Sequence, residues 1–164
     1  MSTPHGPFDP ADVTWTSVSP RLARARLTVT GITVVAGLLA TVPVAVLTGE
    51  AWVWVFPGVV VALGLWATWL ISRQVRAIAY AERADDLLLR KGIMFRSLIV
   101  VPYGRMQYVD VTAGPLARGF KIASVQLHTA APGTNATIDG LTPEEATRLR
   151  DRLASRGEAR LAGL

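Results

Sequence analysis

Across residues 27–71 the chain is apolar almost without interruption: over these 45 positions the one ionisable side chain is Glu50. Glu50 lies in a short polar break, Thr48-Gly49-Glu50, which divides the stretch into runs at 27–47 and 51–71. About 20 helical residues at 1.5 Å each cross a hydrocarbon core of roughly 30 Å. Each run therefore has the length of a transmembrane helix, and a three-residue connection makes the pair antiparallel. A buried hairpin in a soluble domain would show a polar face, and neither run has one.

Before the runs, residues 1–20 read as a flexible tail rich in proline, with Ser19 and Pro20 placed as N-cap and first helical residue. The start is not a signal peptide, since no basic region precedes an early, short apolar core. Within the spans, Gly31, Thr33, Gly37 and Thr41, with Gly58 and Ala62, place small residues four apart, a spacing that lets helices approach closely. Pro43 and Pro57 are expected to kink their helices.

After residue 76 the period changes to two. Strands are expected at 78–84, 87–91, 94–101, 107–112, 122–129 and 136–139. Turn signals separate them at Asp85-Asp86, Gly92, Tyr103-Gly104, Gly114-Pro115, Pro132-Gly133 and Gly140. Six short strands point to a small barrel or sandwich. A helix over 143–155 follows. Thr142 and Glu145 form a capping box, Pro143 opens the helix, and Leu141 and Ala146 form a staple. Its stripe of Ala146, Leu149 and Leu153 closes one end of the barrel, and Gly157 is the expected stop. The expected fold is thus an α+β membrane protein. A transmembrane hairpin (21–76) is followed by a β domain capped by a C-terminal helix (77–157), with a short tail at 158–164.

The net charge of +5 is a property of the hairpin's ends. Arg21, Arg24 and Arg26 precede the first run, and Arg73 and Arg76 follow the second. Without those five, twelve basic residues balance twelve acidic ones. That placement excludes a nucleic-acid patch, which would lie on the folded domain. It fits a membrane surface, and the positive-inside rule puts both termini in the cytoplasm of a multi-pass cell-membrane protein. Trp52 and Trp54, with Phe56, then form an outer aromatic belt. Trp66 and Trp69 lie nearer the inner face, and Trp15 is placed at headgroup depth.

The order of these pieces resembles the bacterial PH-domain (pleckstrin-homology-like) membrane proteins, which carry two transmembrane helices followed by one PH-like barrel. Three segments carry the likeness: 76–92 (RAIAYAERADDLLLRKG), 99–111 (IVVPYGRMQYVDV), similar to the family's IPY-x-RIQ-x-V, and 114–130 (GPLARGFKIASVQLHTA), similar to GPL-x-R-x-FGLA-x-V-x-L-x-TA. Lys121 stands where that pattern often has glycine, so a left-handed backbone there would be strained. The resemblance implies a fold and a topology but no activity, because PH-like barrels host unrelated binding roles.

Candidate chemistry is sparse. The absence of cysteine removes disulfides, thiolate metal sites and a Cys nucleophile. His5 falls in the tail. His128 shares a strand face with Ser124 and Gln126, which makes it a surface residue. Asp85-Asp86 reads as a β-turn. No metal, cofactor or catalytic motif is expected. Transport would need polar groups at membrane depth, and Thr33 and Thr41 are the strongest available. Phosphoinositide-binding PH domains use a basic first hairpin loop, whereas this one, Ala84-Asp85-Asp86, is acidic. Arg90, Lys91 and Arg96 around Gly92 are the remaining candidates to meet headgroups or a partner. The reading is a non-enzymatic, membrane-anchored interaction or scaffold module facing the cytoplasm. Its partners are the bilayer and a protein, either another copy or a second PH-like membrane protein. The alternative is a sensor of anionic-lipid headgroups at the inner leaflet.

Overall fold

The apolar runs form two antiparallel helices, α1 (Arg21–Thr48) and α2 (Val55–Arg76), in a computed structural model that describes residues 13–130 and 135–162. The Pro132-Gly133 turn and His5 lie outside the described residues. Helix α1 ends at Gly49, whose φ is 67°, and a 3-10 turn (Ala51–Trp54) leads into α2. The large apolar side chains of both helices face outward, Leu39 at 71% and Leu47 at 86% exposure. That is the surface of a span in hydrocarbon and the opposite of a soluble core helix. The hydroxyls in the spans are satisfied internally. Thr33 donates to the Val29 carbonyl at 3.0 Å, Thr41 to Gly37 at 2.8 Å and Thr68 to Gly64 at 2.9 Å. Back-bonding of this kind satisfies the hydroxyl donors within each helix.

Pro57 sits in the first turn of α2, where its missing amide costs the helix little, whereas Pro43 lies inside α1, which continues on both sides of it. Of the small residues, Gly31 and Gly58 face open space. The close approaches are Gly37 against Val60 and Gly64 against Val34.

Past α2, only two residues precede the first long strand. Among the described residues, seven strands make two antiparallel sheets. The first is ordered β1 (Thr16–Ser17), β2 (Ala79–Glu82), β3 (Asp86–Lys91), β4 (Ser97–Pro102). The second is ordered β5 (Met106–Thr112), β6 (Ala123–Thr129), β7 (Ala136–Leu141). Alternation along β6 buries Ala123, Val125, Leu127 and Thr129. These meet Tyr80, Leu87, Leu89 and Val101 of the first sheet, and Ala146, Leu149 and Leu153 of α4 (Pro143–Ala162) complete the core.

The chain before α1 is not wholly a tail. Thr16 and Ser17 pair with Tyr80 and Ala79, and Val18 is buried in the shared core. Ser19 accepts the Arg21 amide at 3.3 Å, as an N-cap does. Strand β4 starts at Ser97, later than expected, because residues 92–96 form a turn. Gly92 has a φ of 95°, and a Cβ there would lie 2.0 Å from the Phe95 carbonyl oxygen, so the turn excludes any side chain at that position. A short helix, α3 (Pro115–Gly119), follows β5. Helix α4 continues through Gly157, which is buried close to Met106 and the Tyr103 carbonyl and serves packing rather than termination. Half of the expected capping box forms: Thr142 Oγ1 accepts the Glu145 amide at 3.3 Å, while the Glu145 carboxylate turns to Tyr80 and Arg148.

Lys121 has a φ of 53°, the one non-glycine residue with positive φ among the described residues. Lys121→Gly should raise the melting midpoint. Relief of about 1–2 kcal/mol of left-handed strain outweighs about 0.5–1 kcal/mol of added freedom in the unfolded chain. A midpoint at or below the wild-type value would refute that balance.

Candidate functional site

Chain direction places the ends of the sandwich. β2 leaves the end of α2, so the 83–85 turn lies far from the hairpin, and β3 brings the chain back. The turn at 92–96 and helix α3 therefore flank the base of the sandwich, beside the spans. Around that base the juxtamembrane arginines take different roles. Arg26 lies 3.7 Å from the Asp139 carboxylate, which also accepts the Ser124 hydroxyl at 2.8 Å. The Arg21 guanidinium reaches the Lys121 carbonyl at 3.5 Å. Arg73 stacks over Trp69, 4.7 Å from the ring centroid. Arg24 and Arg76 are exposed. At the far end of the hairpin Trp52 and Phe56 meet edge to face at 6.0 Å, beside exposed Trp54.

A cleft of about 850 Å³ opens between α2 and the 92–96 turn. Trp66 and Trp69 form one wall and Met94 and Phe95 the other, with Arg26, Arg73, Lys91 and Asp139 also lining it. Met94 and Phe95 are 84% and 86% exposed. The strand expected over 94–101 includes these two residues. The signal that could have marked them is the apolar run Ile93-Met94-Phe95 directly after Lys91-Gly92, where a turn should be polar.

The three expected contact residues part company here. Lys91 lines the cleft and Arg96 is exposed at the turn. Arg90 points to the other face of β3, since neighbours on a strand alternate, and stacks on Trp15 at 4.6 Å. That contact packs Trp15 against the sheet.

On the opposite side, α4 is fastened to β2 by a charged network. Glu82 pairs with Arg148 at 2.8 Å and with Arg152 at 3.1 Å, and the Tyr80 hydroxyl donates to Glu145. The hydrogen bond from Arg148 holds the Glu145 carboxyl down to about 2, while burial raises the Tyr80 phenol well above its usual range. Beyond it, Tyr103 donates to the Arg83 carbonyl and accepts from Arg156, and burial raises its pKa too. Mutual satisfaction of this kind fixes a helix on a sheet. His128 stacks on Tyr108 across β5 and β6 at 4.3 Å, a cross-strand surface pair. Among the described residues no group of three or more His, Cys, Asp or Glu is placed to hold a metal ion.

The fold and its base define a class: a PH-like domain set directly on two apolar helices long enough to cross a membrane. The chain belongs to the bacterial PH domain family, whose pattern matches residues 25–157 and so takes in the spans as well as the sandwich. It is 34% identical over 123 residues to the UPF0699 transmembrane protein YdbS of Bacillus subtilis (strain 168), covering 71% of this chain and 76% of that one. To YdbT, a UPF0699 transmembrane protein of the same organism, it is 25% identical over 96 residues, covering 56% of this chain and 20% of the relative. No solved structure matches.

Proposed function

We propose that the protein is a non-enzymatic interaction module, anchored by its hairpin with both termini in the cytoplasm, that binds a second PH-like membrane protein by strand addition at β4. The observation that carries this is the character of that edge. Strand β4 reads Ser-Leu-Ile-Val-Val-Pro, six residues with no charge, and Val100 is 41% exposed on it. Natural sheet edges are blunted by charges, proline, bulges or brevity, and the one proline of β4, Pro102, stands at its last position, leaving Ser97–Val101 without such a device. The other edges here have such devices: β1 is two residues long, β5 carries Asp110 and a register shift, and β7 is interrupted by a shift near Asp139. A long, uncharged edge is the template that strand addition uses. Bacillus subtilis carries two transmembrane relatives of the chain, which supports a companion of similar make.

The test is capture of partners from native membranes by the full chain in mild detergent. Wild type should retain a PH-like membrane protein. Val100→Lys should lose it, and Tyr108→Lys, on the β5 edge, should keep it. Retention of lipid alone, or capture indifferent to Val100→Lys, would overturn the proposal; capture of a second copy would replace the companion with a homo-oligomer. The headgroup-sensing alternative draws on a separate observation, the basic cleft at the base, where Lys91 is joined by Arg73 and Arg26.

A further inference from the structure

The 92–96 turn combines two properties that do not belong on a soluble surface. Its tip residues, Met94 and Phe95, are almost fully exposed. They also share a cleft with Trp66, which belongs to the span itself. Trp66 lies five residues before Ile71, the last residue of the apolar run, or about 7 Å of helix on the membrane side of it. A turn that lines one cleft with Trp66 and Trp69 is set against the sandwich-proximal end of α2, beside the bilayer interface whichever way the hairpin is oriented. At that depth the ordinary surroundings of an apolar side chain are acyl chains, and aromatic residues favour the headgroup boundary.

The cleft between the tip and α2 is also charged in one sense. Arg26, Arg73 and Lys91 line it against a single acid, Asp139, which already meets Arg26 and Ser124. The balance is positive, on a rim above apolar walls. We propose that the β3–β4 turn dips into the leaflet beneath the sandwich and, with the sandwich-proximal end of α2, holds one anionic phospholipid. Its acyl chain lies against Trp66, Trp69 and Phe95, and its phosphate meets Lys91 and Arg73. This site lies at a different hairpin from the acidic 83–85 turn, and it deepens the headgroup-sensing alternative without depending on the β4 partner.

The chain has no cysteine, so single labels are unambiguous. Full-length Phe95→Cys carrying bimane is reconstituted into vesicles of phosphatidylcholine and phosphatidylglycerol, with Gly104→Cys, at the far end of the sandwich, as reference. The label at 95 should emit at shorter wavelength than the label at 104 and be quenched by nitroxide on the upper acyl chain. In native mass spectrometry from mild detergent, the full chain should retain one phosphatidylglycerol in preference to phosphatidylcholine. Lys91→Glu should lose that preference while keeping the wild-type circular dichroism spectrum. A label at 95 as water-exposed as the one at 104 overturns the proposal. So does equal retention of the two lipids, or a Lys91→Glu chain that retains phosphatidylglycerol as wild type does. A label at 95 that is shielded yet untouched by lipid nitroxide also overturns it, and assigns the cleft to protein.

Discussion

Gly140→Val should destabilise the full chain by about 2–5 kcal/mol, the sum of two effects at one atom. Gly140 has a φ of 78°, and left-handed backbone costs an L-residue about 1–2 kcal/mol. A Cβ on Gly140 would also lie 2.6 Å from Leu22 Cβ and 2.8 Å from Leu22 Cδ2. Leu22 is buried in the shared core, so it has little room to withdraw, and overpacking of this kind costs about 1–3 kcal/mol. The position matters because it joins the two halves of the molecule: the Ser19 amide donates to the Gly140 carbonyl at 2.9 Å, just ahead of α1. Thermal unfolding of the detergent-solubilised chain, followed by near-ultraviolet circular dichroism, should show a midpoint several degrees lower. Adding Leu22→Ala should recover little of the loss, because alanine keeps the Cβ that lies 2.6 Å away and leaves the backbone strain in place. An unchanged midpoint in Gly140→Val would mean that α1 and β7 are not packed as described.

Within the spans, Gly64→Val should weaken the hairpin by about 1–3 kcal/mol. A Cβ on Gly64 would sit 2.5 Å from Val34 Cγ2, and a β-branched neighbour has one strongly preferred rotamer in a helix and cannot turn aside. The same change at Gly58, which faces open space, should be silent. Titration with sodium dodecyl sulfate separates the two: Gly64→Val should unfold at a lower detergent fraction, and Gly58→Val with wild type. Equal midpoints for both variants would remove the close approach of α1 and α2 from the account.

These two glycines show how far the chain could be read unaided. The spans were legible because a lack of charge over 45 residues is a signal that needs no partner. The stripe of Ala146, Leu149 and Leu153 was legible because it is a period along one helix. Gly64 was not, since its significance lies in Val34 on the other helix, and small-residue spacing compares positions within one. Strand β1 escaped for a like reason: two residues carry no period, and their partners, Tyr80 and Ala79, lie beyond both spans. Gly157 had a local meaning, helix stop, and a tertiary one, contact with Met106 and Tyr103, and the tertiary one prevailed.

The site divides along the same line. That Arg90, Lys91 and Arg96 are near one another follows from their numbers. That Arg90 turns to Trp15 while Lys91 turns to the cleft depends on strand alternation and on where the hairpin stands. Met94 and Phe95 were misread because apolar residues next to a strand look like more strand. The glycine just before them marks a turn, and the placement of that turn beside α2 then shows what the exposed apolar tip faces.

The pairing of Thr16 with Tyr80 and of Ser17 with Ala79 closes the two ends of the hairpin onto each other, so spans and sheet form a ring without slack. If α1 slid against α2 by one helical turn, about 5.4 Å, the offset would exceed the rise of a strand residue, about 3.4 Å, and both pairs would part. The relative position of the two helices is thus tied to the register of β1 on β2, with short links at 18–20 and 77–78 in place of a loose tether.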